Sequence, residues 1–94
     1  MITSAAFAGK KYAVLGLARS GMAVAESLLA SGAHVTAWDR QEEPRAVLEG
    51  RATIADPLTT DLAGFDGVVV SPGVPLNTHP IVQVARNAGV PIIM

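Results

Sequence analysis

The sequence contains no cysteine, which excludes disulfides and thiolate metal sites. Aromatic residues make up 4% and charged residues 16% of the chain, and the formal net charge is −1. This charge balance argues against binding to nucleic acid or to an anionic membrane surface. No apolar run approaches the roughly 20 residues that span a bilayer, and residues 1–4 lack the basic segment of a signal peptide. We therefore expect a cytoplasmic protein.

Several reaction chemistries are also missing. The Gly9-Lys10 pair is not followed by serine or threonine, so no ATP-binding P-loop is present. The two histidines lack the spacing of a zinc site, and no serine stands in a Gly-x-Ser-x-Gly nucleophile motif. The pattern therefore identifies no catalytic residue and no metal ligand.

Half of the 94 residues are hydrophobic, which argues against a disordered chain. That length supports a single domain, residues 1–94, with one modest core. Five short apolar runs, rich in β-branched residues, are typical of parallel strands buried on both faces. The predicted strands are residues 12–15, 35–38, 52–55, 68–70 and 91–94.

Helical segments alternate with these strands. The segments, from apolar spacing and length, are residues 22–29 and 81–88, with shorter pieces at 44–49 and 58–63. Gly32 and Gly89 are expected to end the two longer helices, and Thr78 or His79 to cap the second. The alternation predicts an α/β fold, a Rossmann-like three-layer αβα arrangement with a five-stranded parallel sheet in the order 3-2-1-4-5.

The first strand runs into residues 16–21, a Gly-x-Ala-x-x-Gly sequence that we call the glycine loop. Gly16 permits a tight turn into the helix, whose first amides and dipole attract an anion. Ala18 adds a methyl group where a pyrophosphate would approach, while Arg19 and Ser20 add a cation and a hydroxyl. A tight turn without a ligand would share this pattern, so both interpretations stay open.

Other candidate ligand contacts follow the second and fourth strands. Asp39 lies at the spacing at which an acidic residue binds a ribose or base edge. Arg40 could lie against a base or phosphate, or be an ordinary surface residue. Ser71, Pro72 and Gly73 leave the fourth strand at the same sheet edge as the glycine loop, where open α/β sheets bind ligands in a crevice. A rigid turn is the alternative for these three, and a solvated carboxylate for Asp39.

The combined motifs resemble the N-terminal domain of the MurD family of ligases, from Gly9 to the end of the chain. The most specific part is the Ser-Pro-Gly-Val-Pro loop at residues 71–75. The other matching segments are residues 11–21, 35–40, 79–80 and 88–92. The family usually has glycine at the position of Ala18 and often threonine at that of Ser20.

The resemblance implies a function for the chain. Members of this family add D-glutamate to UDP-N-acetylmuramoyl-L-alanine in the peptidoglycan synthesis that underlies cell shape and division. Their N-terminal domain holds the UDP moiety, and the central domain carries ATP and magnesium. The implied UDP-binding residues are Gly16, Ala18, Arg19, Ser20, Asp39, Arg40, Ser71, Pro72 and Gly73. We therefore expect a UDP-binding, noncatalytic, monomeric domain that binds no cofactor itself, with the central ATPase and C-terminal domains absent from this chain.

Three alternatives remain open at this point. The first is an NAD(P)-binding module of a dehydrogenase, or a CoA-binding-like domain, which would share the strand-helix-strand start and Asp39 but does not predict the Ser-Pro-Gly-Val-Pro loop. The second is an interaction module without a ligand that pairs through its exposed last strand. The third is a related MurC-type ligase that binds a UDP-sugar in a similar way.

Overall fold

The computed structural model describes residues 4–93 and contains a parallel sheet flanked by helices. Residues 1–3 and Met94, the last residue of the fifth predicted strand, lie outside the described residues. In chain order the elements are a 3-10 turn at Ala5–Phe7, β1 Lys11–Leu15, α1 Arg19–Ala30, β2 His34–Trp38, α2 Glu42–Leu48, β3 Thr53–Ile54, β4 Gly67–Val70, α3 Ile81–Ala88 and β5 Ile92–Ile93. No helix in this part of the chain is long and apolar enough to cross a membrane.

The sheet has five parallel strands in the order β3-β2-β1-β4-β5, which confirms the predicted topology. Its register brings three strand ends level. Leu15 of β1 pairs with Trp38 of β2 on one side and with Val70 of β4 on the other. The loops that follow these strands therefore leave the sheet at the same height and side by side.

Successive side chains of β1 point to opposite faces of the sheet and belong to two separate core layers. Tyr12 and Val14 belong to the apolar cluster under α1 and α2, which also contains Leu28 and Leu48. The next residues along the strand, Ala13 and Leu15, face the opposite cluster under α3. Helices thus cover both faces of the sheet, as the three-layer prediction required.

The ends of the longer helices also agree with the sequence. Gly32 and Gly89 take positive φ angles of 84° and 72°, the left-handed conformation that ends a helix. The N-cap position of α3 is Pro80, and the backbone amide of Ile81, the first residue of the helix, donates to Nδ1 of His79 at 3.1 Å. His79 therefore pairs the first amide of the helix, as predicted, from one residue before the N-cap.

The structure corrects two of the predicted helical pieces. Residues 58–63 form turns, because the amide of Leu58 and the hydroxyl of Thr60 bond locally to Asp56 in place of a helical ladder. The piece predicted at residues 44–49 is α2, which begins earlier, at Glu42. Pro44 lies in its first turn, where the missing amide proton of proline costs nothing.

Candidate functional site

A crevice of two adjoining lobes opens at the carboxyl edge of the sheet. The larger lobe, about 360 Å³, lies toward β3, and the smaller, about 270 Å³, lies toward α1. Both lobes are lined by Gly16, Asp39, Arg40, Gly73 and Val74. The loops after β1, β2 and β4 therefore meet around one concave space, which is where open α/β sheets place their ligands.

Each lobe has further lining residues of a different character. The β3-side lobe adds Leu15, Trp38, Asp56, Leu58, Pro75 and His79. The α1-side lobe adds Leu17, Ala18, Gln41, Pro44 and Ser71. The first set offers apolar surface with a carboxylate and an imidazole, which suits a planar heterocycle. The second set lies beside the start of α1, which suits an anion.

Two glycines allow the loops after β1 and β4 and the start of α1 to pack closely against one another. Gly16 has a φ of +90°, and a Cβ placed on it would lie 2.6 Å from the Cβ of Ser71. A Cβ on Gly21 would overlap the carbonyl oxygen of Gly16. The last glycine of the motif therefore serves close packing of α1 on the loop, and the first serves both the turn and the approach of Ser71.

Ser71, the first residue after β4, is fixed by backbone bonds to β1 and within its own loop. Its amide donates to the Leu15 carbonyl at 2.9 Å, and its carbonyl accepts from the Val74 amide at 3.0 Å. The residue is 7% exposed overall and lies in the wall of the α1-side lobe. A serine hydroxyl at the wall of an open cavity can donate to or accept from a polar ligand.

Asp39 joins the loops after β1 and β2. Its Oδ2 accepts from the amide of Leu17 at 2.8 Å, and its Oδ1 accepts from the amide of Gln41 at 2.8 Å. Beside it, the amide of Gly16 donates to the Trp38 carbonyl at 2.8 Å. The glycine loop is thus held against the end of β2 by two hydrogen bonds, from Gly16 and Leu17, while the bond from Gln41 fixes the carboxylate of Asp39 within its own loop.

The start of α1 supplies the unpaired donors of the site. The first intrahelical bond runs from the Met22 amide to the Ala18 carbonyl at 2.8 Å, so the amides of Arg19 and Ser20 have no helical acceptor. Ala18 stands at the N-cap position without a side-chain cap, and the first turn contains no acidic residue. An anion placed here meets free amides and the positive end of the helix dipole.

The structure brings together most of the predicted site residues. The crevice is lined by Gly16, Ala18, Asp39, Arg40, Ser71 and Gly73. Three predicted residues lie outside its lining and are exposed to solvent: Arg19 and Ser20 in the first turn of α1, and Pro72 in the loop after β4. Their side chains lie at the rim of the crevice, while the backbone amides of Arg19 and Ser20 stand at the start of α1.

Sequence reasoning missed several lining residues. Trp38 and Asp56 are not among the predicted ligand contacts, yet both line the β3-side lobe. Their positions at the end of β2 and just after β3, at the carboxyl edge, were a usable signal. Gln41 lines the α1-side lobe, and its backbone amide donates to Asp39. The sequence carries no signal for this hydrogen bond, because any residue except proline supplies a backbone amide.

The comparisons with known proteins agree with this geometry. The family model described as Mur ligase MurD-like, N-terminal domain, matches residues 10–94. The chain belongs to this family. The match confirms the resemblance inferred from the glycine loop and the Ser-Pro-Gly-Val-Pro loop, and it does not favour the alternative of an NAD(P)-binding module.

Three curated relatives of the MurD-like chain carry the same name. The chain is 72% identical, over 99% of its length, to the UDP-N-acetylmuramoylalanine--D-glutamate ligase of Novosphingobium aromaticivorans. It is 66% identical, over 99% of its length, to the ligase of that name from Sphingopyxis alaskensis. The corresponding ligase of Zymomonas mobilis is 51% identical. The chain spans only 21%, 22% and 23% of these three relatives, about a fifth of their length.

A solved structure supports the fold alone. The crystal structure of one dipicolinate synthase chain from Bacillus halodurans superposes with a TM-score of 0.64 at 20% identity. The match covers 94% of this chain and 38% of that one. At such low identity it speaks for the α/β architecture of the MurD-like domain and not for its ligand.

Proposed function

We propose that this chain is the UDP-substrate-binding domain of a ligase that adds D-glutamate to UDP-N-acetylmuramoyl-L-alanine in peptidoglycan synthesis. The observation that carries the proposal is the 72% identity, over 99% of the chain, to a protein bearing that ligase name. The lobed crevice supports it, because a uridine diphosphate needs both a flat, partly apolar site and an anion site.

The crevice suggests how the two parts of UDP would lie. The diphosphate would meet the free amides at the start of α1, with the guanidinium of Arg19 and the hydroxyl of Ser20 at the rim. The uridine would lie in the β3-side lobe near Arg40, with Gly73 on its other side, and Ser71 in the wall of the α1-side lobe would lie toward the diphosphate. On this proposal the residues carried over from the family would contact UDP from the crevice and from its rim.

The reaction itself is assigned to parts of the ligase outside this chain. ATP-dependent amide-bond formation needs ATP, magnesium and D-glutamate, and we place their binding and all catalytic residues beyond residues 1–94. On this proposal the chain binds no cofactor of its own. It acts in the cytoplasm as a monomeric holder of the UDP-linked substrate and binds neither nucleic acid nor a membrane.

Isothermal titration of the chain with UDP-N-acetylmuramoyl-L-alanine and with NAD tests the proposal. We expect saturable binding of the UDP-linked substrate and of UDP itself, and weaker or no binding of NAD. Tighter binding of NAD, or no binding of either uridine compound at millimolar concentration, would overturn it. Sedimentation at two protein concentrations tests the monomeric state, which a concentration-dependent mass would contradict.

A further inference from the structure

We propose that Asp39 is a positioning residue, whose carboxylate sets the location of the anion-binding amides. The spacing in the sequence predicted a carboxylate that accepts hydrogen bonds from a ribose or base. The inference rests on the proposed function for the identity of the ligand, but its structural part is tested without any ligand.

The first argument is that both carboxylate oxygens already have backbone donors. Oδ2 accepts from the Leu17 amide and Oδ1 from the Gln41 amide, each at 2.8 Å. These are charge-assisted bonds at the short end of the usual N–H···O range, and therefore among the stronger bonds of a protein. A ligand that displaced either donor would leave a backbone amide unpaired at the crevice wall.

The second argument is where the two donors lie. Leu17 directly precedes Ala18, the N-cap residue of α1, and Gln41 is the N-cap residue of α2. One side chain therefore fixes the chain immediately before both helices. Because the free amides of Arg19 and Ser20 follow Leu17 within a few residues, any rotation of the loop at Leu17 moves these donors directly.

The third argument is that nothing else in the glycine loop performs this task on the β2 side. The amide of Gly16 is tied to the Trp38 carbonyl, but that bond ends at the turn. The packing of Gly16 and Gly21 fixes the loop toward Ser71, on the β4 side. Among the described residues, the hydrogen bond from Leu17 to Asp39 is what attaches the segment between the turn and the start of α1 to the end of β2.

The chain contains a matched control at the opposite edge of the sheet. Oδ2 of Asp66 accepts from the Lys11 amide at 2.8 Å, a long-range bond that also ties a backbone group at one end of β1. Asp66 is exposed and lies at the amino edge, away from the crevice. Asp39→Asn and Asp66→Asn thus remove the same charge and weaken the same kind of bond, one beside the site and one remote from it.

Asparagine has one acceptor oxygen, so Asp39→Asn leaves either Leu17 or Gln41 facing an NH₂ group. We expect the exchange of at least one of these two amides, followed by NMR without ligand, to accelerate about tenfold while core amides of β1 are unchanged. The dissociation constant for UDP is expected to rise about tenfold in Asp39→Asn. In Asp66→Asn it should stay within about twofold of the parent value.

Asp39→Ala, which removes both acceptors, should expose both amides and weaken UDP binding further. Unchanged exchange at Leu17 and Gln41 together with weaker UDP binding would mean direct contact with the ligand and would overturn the inference. Equal loss of UDP affinity in the Asp39 and Asp66 variants would also overturn it, because it would indicate general destabilisation. If the parent chain itself fails to bind UDP, the proposed function falls, while the exchange measurement still decides whether Asp39 holds the loop.

Discussion

The two edges of the parallel sheet use the same kind of bond and differ in what surrounds it. Asp39 at the carboxyl edge and Asp66 at the amino edge each hold a backbone amide at 2.8 Å. The amino edge even carries the larger depression, about 590 Å³, lined by residues including Lys11 and His34. Neither a carboxylate nor open volume therefore distinguishes the candidate site.

What distinguishes the carboxyl edge is the direction of the helices. Helix α1 begins there, with unpaired amides at Arg19 and Ser20, whereas its carbonyl end lies at the amino edge just before β2. The helix dipole therefore attracts an anion at one edge and repels it at the other. The glycine contacts at Gly16 then bring the loop after β4 close enough to form a second wall.

The largest effect is expected from Gly21→Ala. Its Cβ would overlap the Gly16 carbonyl oxygen, so the glycine loop must shift. We expect the free energy of unfolding to fall by about 3 kcal/mol, and UDP binding to be lost, as measured by urea denaturation and titration. Gly64→Ala is the control, because Gly64 has a φ of +86° but a Cβ added to it would meet open space. It should cost about 1–2 kcal/mol from backbone strain alone and leave UDP binding intact, so equal losses in both variants would contradict the packing argument.

The next effect in size is expected from Ser71→Ala, which removes the hydroxyl of a residue in the wall of the α1-side lobe. UDP affinity should fall about tenfold, with little change in the urea midpoint, since the backbone bonds of Ser71 remain. Thr53→Val removes an exposed hydroxyl that lines the amino-edge depression and should leave the affinity unchanged. An unaltered affinity in Ser71→Ala would show that the hydroxyl is not part of the site.

A smaller effect is expected from His79→Ala. The imidazole caps α3 through Ile81, so its loss should lower the free energy of unfolding by about 1 kcal/mol and slightly weaken UDP binding at the β3-side lobe. The amino-edge histidine, His34, is exposed, and His34→Ala should change neither quantity. Thermal unfolding of both variants measures the difference, and identical midpoints would argue against the capping role.

The smallest effect is expected from Arg19→Ala, because this guanidinium is exposed at the rim and screened by solvent. UDP affinity should fall about two- to fivefold at low salt and converge with the parent value near 1 M salt, where the Debye length is about 3 Å. Arg86→Ala, on the exposed side of α3 near its carbonyl end, should show no such difference. A salt-independent loss in Arg19→Ala would point to a direct hydrogen bond.

The topology could be predicted from the sequence because it follows from short-range patterns. Continuous apolar runs such as that at β4 indicate strands buried on both faces, and glycines such as Gly89 end helices through their own conformational freedom. The crevice then followed from the strand order. The prediction of a helix at residues 58–63 failed because bonds to Asp56 compete with the helical ladder, a balance that residue spacing does not reveal.

The partners of Asp39 illustrate what spacing cannot provide. The sequence placed this carboxylate correctly at the end of β2 but could not tell a backbone donor from a ligand. The amide of Leu17 lies 22 positions away in the chain and is brought near by the pairing of β1 with β2. Backbone amides carry no residue identity, so a contact of this kind becomes visible only in three dimensions.

The interlock of Gly16, Gly21 and Ser71 has a thermodynamic consequence for binding. Because these residues pack directly against one another, the wall of the crevice between α1 and β4 is held by contacts within the chain. The loops between α1 and β4 therefore need no ordering when a ligand binds. The conformational entropy lost on binding comes from the ligand and from exposed side chains such as Arg19. The chain should therefore behave as a preorganised receptor, in which association is limited by the encounter of the ligand with an open cleft and not by a refolding of the cleft.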